Sequence, residues 1–226
     1  MTRPEKTSQP PPPSKAFCSP GRHRGQRKLA RLYSADISAG ALKVPETRVI
    51  AGLLLRGIDE QEWKRALISE NVLQFRNPAT AIRLARLIKA RLALMGADLW
   101  KMIYEGTGVV AVHAVLAASI KHSHLLGDFL DLVVREQYHL FNPALSNRLW
   151  DDYLSDCRGR DPEMPEWNES TRRRLRSSVF QTLAQAGFIE NTKTLKLQPV
   201  HIAPQIIRYL INRNEDYVLR CIQVSP

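Results

Sequence analysis

The chain is short of the features that would place it in several large classes. It has three cysteines in 226 residues, Cys18, Cys157 and Cys221. Three scattered cysteines cannot build a disulfide framework, and reduced thiols in a cytosol are the expectation. Long apolar runs are also missing. The longest, residues 108–120, contains His113 and stops at Lys121. A membrane-spanning helix needs ~20 mostly apolar residues. The N-terminus is basic without a following apolar stretch, so it does not read as a secretory signal. A cytoplasmic location with no membrane partner is therefore expected.

Catalytic signatures are equally scarce. Residues 106–110 (GTGVV) have neither the spacing nor the lysine of a phosphate-binding loop. No nucleophile elbow or cysteine–histidine signature is present. Of the six histidines only His122 and His124 are close. Two residues apart on a helix, they point to different faces and make no metal site by themselves. Asp128 with Asp131, and Asp151 with Asp152, are carboxylate pairs of a kind able to bind Mg²⁺. They are also what any amphipathic helix presents to water. The expectation is a protein that is not an enzyme, with no catalytic residues, no metal and no cofactor. Aromatic residues make up 7% of the chain. Trp63, Trp100, Trp150 and Trp167 fall at helix-core spacing and do not interleave with cations, unlike a platform for stacking single strands.

Positive charge is what the chain has in excess. Lys plus Arg total 33 against 22 Asp plus Glu, a formal charge of +11. Residues 1–32 hold eight of those cations (Arg3, Lys6, Lys15, Arg22, Arg24, Arg27, Lys28, Arg31) and one acid, Glu5. This segment also carries Pro10 to Pro13, and it reads as a disordered basic arm. Most of the excess thus lies on the arm, where it would favour a polyanion without saying anything of the folded part.

From Tyr33 the composition turns globular, and helices follow one another. Pro45 suits the first turn of a helix that Gly57 ends. Asp59 and Glu62 form a capping box ahead of Trp63, Ala66 and Leu67. Asn77 and Pro78 open the clearest helix, ended by Gly96. Residues 108–123 read as a nearly all-apolar helix suited to the centre of a bundle. Asn142-Pro143 is expected to open a further helix. Pro162 and Pro165 mark a linker. A helix from Asn168 or Ser170 to Gly187 follows, then a β-hairpin turning at Asn191 to Thr194, then a helix from Pro204. The fold class expected is mainly α. It is a helical bundle with helix-turn-helix-like and winged-helix-like modules and one small β-hairpin near the C-terminus. The expected division is an arm at 1–32, an N-terminal helical domain at 33–160 and a C-terminal winged-helix-like module at 161–226.

Two basic constellations suggest binding of an anionic polymer. Arg76, Arg83, Arg86, Lys89 and Arg91 spread over about four turns, with no acid until Asp98. Asn77 and Thr80 stand at the N-terminus of the same helix, where backbone N–H groups also suit a phosphate. The order of short helix, turn and this helix resembles a helix-turn-helix. The second constellation is Arg172, Arg173, Arg174 and Arg176, with Lys193 and Lys196 on the hairpin. Four arginines in five residues do not share one narrow face, so at least one is expected to pair, with Glu166 or Glu169 as candidates. Duplex DNA is the expected partner of both.

The phrases YSADISAGALKVPETRVIAGLLL, ENVLQFRNPATAIRLARLIKARL, IKHSHLLGDFLDLVVREQY, LWDDYL, DPEMPEW and EDYVLRC carry a resemblance. From about Tyr33 to the C-terminus the chain resembles the BrxA proteins of bacterial BREX (bacteriophage exclusion) defence systems. The resemblance implies a small helical protein with winged-helix-like parts that binds double-stranded DNA. It implies partners among other BREX proteins, including the methyltransferase that marks host DNA. The family has also been likened to an RNA-binding antitermination factor, which supplies an alternative reading. A further alternative is an interaction scaffold that docks a partner on the apolar block 108–134. The resemblance implies no catalytic residues.

Overall fold

Helix starts follow the capping residues. The computed structural model describes residues 32–37 and 40–225. Apart from Leu32, the expected arm 1–32 lies outside the described residues, as do Cys18 and His23. The first helix, α1 (Val44–Leu55), has Pro45 in its first turn, where a missing N–H costs nothing. In α2 (Glu60–Lys64) the Asp59 carboxylate accepts from the N–H groups of Gln61 and Glu62, and Glu62 accepts from the Asp59 N–H. This helix continues as a π-helical stretch, Arg65–Ser69. In α3 (Pro78–Ala93) the Asn77 side chain accepts from the Ala79 N–H at 2.9 Å. Then come α4 (Ala97–Glu105) and α5 (Gly108–His122). α6 (His124–Asp128) runs through a π-helical stretch, Phe129–Val134, into α7 (Arg135–His139). The chain ends with α8 (Asn147–Arg160), α9 (Glu169–Ala186), α10 (Pro204–Asn212) and α11 (Asp216–Ile222). Asn168 is the residue that caps α9, accepting from Thr171 N–H, and left-handed Gly187 closes it.

α5 is the central element because its sequence is apolar on nearly every side. Ala111 and the whole run from Ala114 to Ile120 are buried. Helices α1, α3, α4, α6, α9, α10 and α11 all pack on it. Most of the apolar block 108–134 is thus spent on the core, while Val109 and Leu132 stay exposed at 60% and 46%. Segment 161–226 shares the same core through α9, α10 and α11, and residues 31–226 form one compact unit. Among the described residues no single helix is long and apolar enough to cross a membrane.

Beside α5 an aromatic cluster fills the space between α8 and α9. The Phe129 ring lies 5.2 Å from Trp150, 5.2 Å from Tyr153 and 6.2 Å from Phe180, centroid to centroid. The start of the folded chain is tied down nearby. The N–H groups of Leu32 and Tyr33 donate to Asp161 at 2.9 and 3.1 Å. Asp128 accepts from the hydroxyls of Tyr33 (2.6 Å) and Tyr217 (2.8 Å). A half-buried carboxylate is steadied by such donors, because leaving it unsatisfied away from water is costly. Asp131 is equally committed, pairing with Arg135 at 2.9 Å and Arg220 at 2.8 Å.

Two expectations fail. The β-hairpin is not formed: among the described residues there is no strand. Ile189 and Leu197 make one isolated bridge, framed by Glu190 N–H to Lys196 C=O and Gln198 N–H to Phe188 C=O. Leu195 takes a left-handed φ of 53°, which interrupts the extended run. The returning segment then divides its bonds. Lys196 bridges Ala144, Leu145 N–H donates to Leu195 C=O, and Leu197 N–H donates to Pro143 C=O. No pair of arms therefore builds a ladder, and the winged reading of this hairpin goes with it. For the same reason Asn142-Pro143 does not open a helix. Residues 143–145 are bonded instead to 195–197, and α8 starts later, with Ser146 accepting from Leu149 N–H.

His113 joins α5 to the loop before α10. Its Nδ1 accepts from Ala203 N–H at 3.0 Å, which requires a neutral ring, and burial holds its pKa below the ordinary value. His122 is lowered as well, first by burial. A histidine depressed in the folded state contributes stability above its unfolded pKa of ~6.5 and loses it as pH falls below that. Thermal stability should therefore fall as pH drops from 6.5 toward 5. His113→Gln should flatten that fall, measured as the melting temperature against pH. An unchanged slope would contradict the role given to His113.

Candidate nucleic-acid interface

The phase of α3 decides which of its cations reach solvent. At ~100° per residue, Ala81, Leu84, Ala85, Ile88 and Leu92 form one buried face. Arg83 and Arg86 fall on the opposite side and Lys89 on one flank, about 80° from the centre of the buried face. All three are exposed, as is Arg76 just before the helix. Arg91 lies about 60° from Ile88. It is buried, donates to the Ala41 carbonyl at 3.3 Å and leaves its Nε without a partner among the described residues. Burial pushes its pKa down to about 10, against the opposing pull of Asp36. Arg91 is thus withdrawn from any surface contact, unlike the rest of the row.

No carboxylate pairs with Arg76, Arg83, Arg86 or Lys89 among the described residues. Lys89 instead places its ammonium 4.6 Å above the ring of Trp63. Trp63, Leu67, Ile68 and Ile82 line a cavity of ≈ 330 Å³ together with Lys64, Arg86, Lys89 and one acid, Glu60, which pairs with Lys64 at 3.8 Å. Trp63 is half-buried and belongs to this basic surface, which its helix-core spacing did not reveal. Asn77 spends its side chain on the cap, and Thr80 is partly buried, its N–H donating to Asn77 C=O.

The turn before α3 is fixed. Asn71 and Gln74 hold left-handed φ values of 45° and 55°. The Asn71 side chain both accepts from the Phe75 N–H and donates to the Phe75 carbonyl, at 3.0 and 3.1 Å. The π-helical continuation of α2, Arg65–Ser69, packs on α3 across this turn.

The second constellation is mostly neutralised. Arg172 and Arg176 both pair with Asp151 of α8, at 3.4 and 3.6 Å. Arg173 pairs with Glu169 at 2.8 Å, which holds the Glu169 carboxyl below its ordinary range. Glu166, the other expected partner, pairs with Arg158 at 3.1 Å. Only Arg174 of the four is exposed with no ion pair among the described residues. Lys193 and Lys196 are exposed and likewise unpaired among them. The turn that carries them is held by Asn191, which accepts from the Lys193 and Thr194 N–H groups. Two acids, Asp151 and Glu169, thus offset an arginine-rich helix start that otherwise opposes the helix dipole.

The remaining candidates do not converge on chemistry. Cys157 and Cys221 are buried free thiols, and burial raises both, Cys221 to about 12. Among the described residues no three His, Cys, Asp or Glu are gathered as a metal site requires.

The sequence model of the BrxA family matches residues 31–214. The chain belongs to the BrxA family. It is 52% identical over 193 residues to "BREX protein BrxA" of Paramagnetospirillum magneticum, covering 85% of this chain and 97% of the relative. It is 29% identical to "BREX protein BrxA" of Escherichia coli O9:H4, covering 79% of this chain and 84% of that one. A crystal structure of an uncharacterized protein from Magnetospirillum magneticum superposes with a TM-score of 0.80 at 49% identity. It covers 86% of this chain and all of that one. The BrxA match begins where the arm ends, so the arm lies outside it while α3 and its cations lie within it.

Proposed function

We propose that this BrxA-family chain is a non-enzymatic component of a BREX phage-defence system that binds double-stranded DNA. The observation that carries this reading is the row Arg76, Arg83, Arg86 and Lys89, exposed on α3 and without carboxylate partners among the described residues. Cations in such a row neutralise phosphates and release condensed counterions, which is the main source of sequence-tolerant affinity. The fixed turn and the packed π-helical continuation of α2 hold the row at one place on the surface, as a backbone contact requires. Arg174, Lys193 and Lys196 form a smaller second contact. Arg172, Arg173 and Arg176 are committed to acids and contribute little. Two supports come from the family: its curated relatives bear the name BREX protein, and other BREX proteins, the methyltransferase among them, are the partners this implies. A protein that works on host and phage DNA acts in the cytoplasm.

The test is charge reversal at Arg83 and Arg86, read as affinity for duplex DNA. Competition at equal salt separates duplex DNA from structured RNA. Displacement by RNA at lower concentration than by duplex would favour the antitermination-like alternative.

A further inference from the structure

The loop between α7 and α8 exposes two large apolar residues side by side. Leu140 is 60% exposed and Phe141 91%. Phe141 also holds a left-handed φ of 52°. It sits just past the end of α7, where Phe141 N–H donates to Tyr138 C=O and Asn142 N–H donates to Gln137 C=O. This is a Schellman closure, and its left-handed position favours glycine. A phenylalanine there strains the backbone and shelters its ring nowhere. Neither folding nor solubility gains from that choice.

The tip is nevertheless held firmly. The Asn142 side chain donates to the Gln137 side chain at 2.7 Å, and Gln137 is buried. Residues 143–145 are bonded to Leu195 and Leu197. The bridge from Ala144 to Lys196 places the tip beside the turn that carries Lys193 and Lys196. Both lysines are exposed, and the nearby Glu190 is engaged by the Thr194 hydroxyl at 3.0 Å. A rigid, exposed apolar pair next to free cations matches the wedge that some DNA-binding proteins insert between base steps. A lipid surface needs a long amphipathic face, and the helical run before the tip spends Leu125, Leu126, Phe129, Leu130 and Val134 on the core.

We infer that Phe141, with Leu140 behind it, inserts between two base pairs of bound duplex DNA and unstacks them while Lys193 and Lys196 hold the adjacent phosphates. This rests on the reading that the chain binds duplex DNA, but it concerns a different element from α3.

The experiment uses the full chain and duplexes carrying 2-aminopurine at successive steps, with end-labelled duplexes to report bending. Wild type should raise 2-aminopurine fluorescence at a pyrimidine–purine step and bring the ends closer. Phe141→Ala should abolish both signals and weaken binding by about five- to tenfold, a loss of one stacking contact. Its salt dependence should be unchanged. Phe141→Trp should restore the signals. Phe141→Gly should lose them while raising the melting temperature by about 2 °C, because glycine relieves the strain. The inference is overturned if wild type binds duplex without unstacking any step, or if Phe141→Ala keeps the full signal. In either case duplex binding itself stands. Loss of Phe141→Ala binding to vesicles of anionic phospholipid, with no unstacking by wild type, would assign the tip to a membrane and overturn it too. Failure of wild type to bind duplex at all would remove the underlying reading.

Discussion

Exchanging Arg83 and Arg86 together for glutamate should lower duplex-DNA affinity about a hundredfold near physiological salt, a change of ~2.7 kcal/mol. The two side chains stand about one turn apart on the outer face of α3 and form no ion pair among the described residues. Each neutralised phosphate contributes ~0.9 to the slope of log affinity against log salt, so the slope should fall by about 2. Reversing the charges adds repulsion to that loss. Stability should hardly change, because exposed substitutions away from caps and cores usually stay within ~0.5 kcal/mol. The measurement is a salt series of binding isotherms with a melting curve for each protein. Unchanged affinity with an unchanged slope would show that α3 is not the contact.

The second large effect is on folding. Phe129→Ala should destabilise the protein by about 4 kcal/mol, near the middle of the range for buried aromatic truncations. Phe129 is fully buried and is the residue that Trp150, Tyr153 and Phe180 all meet. Its loss leaves a cavity between α8, α9 and the π-helical stretch, and it removes the edge-to-face contacts. For a chain of this size the melting temperature should fall by about 10 °C. Phe129→Leu should recover more than half of that. A fall of only ~2 °C for the alanine variant would mean that the cluster does not hold α8 and α9 against the π-helical stretch.

Helix order was legible in the sequence because the caps are local. Asp59 with Glu62, Asn77 with Pro78, and Asn168 each act within three residues, and all three appear as expected. The burial of Arg91 was not legible from phase, because it lies on one flank of the buried face of α3 as the exposed Lys89 lies on the other. The Ala41 carbonyl that receives it is distant in sequence. The Arg173–Glu169 pair is four residues apart on one helix, so spacing alone pointed to it. The neutralisation of Arg172 and Arg176 was not legible, because Asp151 comes from another helix. The hairpin failed for a similar reason. Alternation in 188–198 suits a strand, but the competing partner at 143–145 is distant in sequence and Leu195 turns the chain locally. The central place of the helix within 108–123 followed from composition, and most of its apolar side chains, Ala114 to Ile120 among them, are buried.

The central claim is that the folded part binds duplex DNA through α3, without help from the basic arm. The most direct measurement is the salt dependence of duplex binding by the chain from Arg31 onward, the unit that folds compactly. Four exposed cations on and before α3 predict a slope of about −3 or steeper, with measurable affinity at ~50 mM salt. A slope near zero, or binding that vanishes with the arm, would contradict the account.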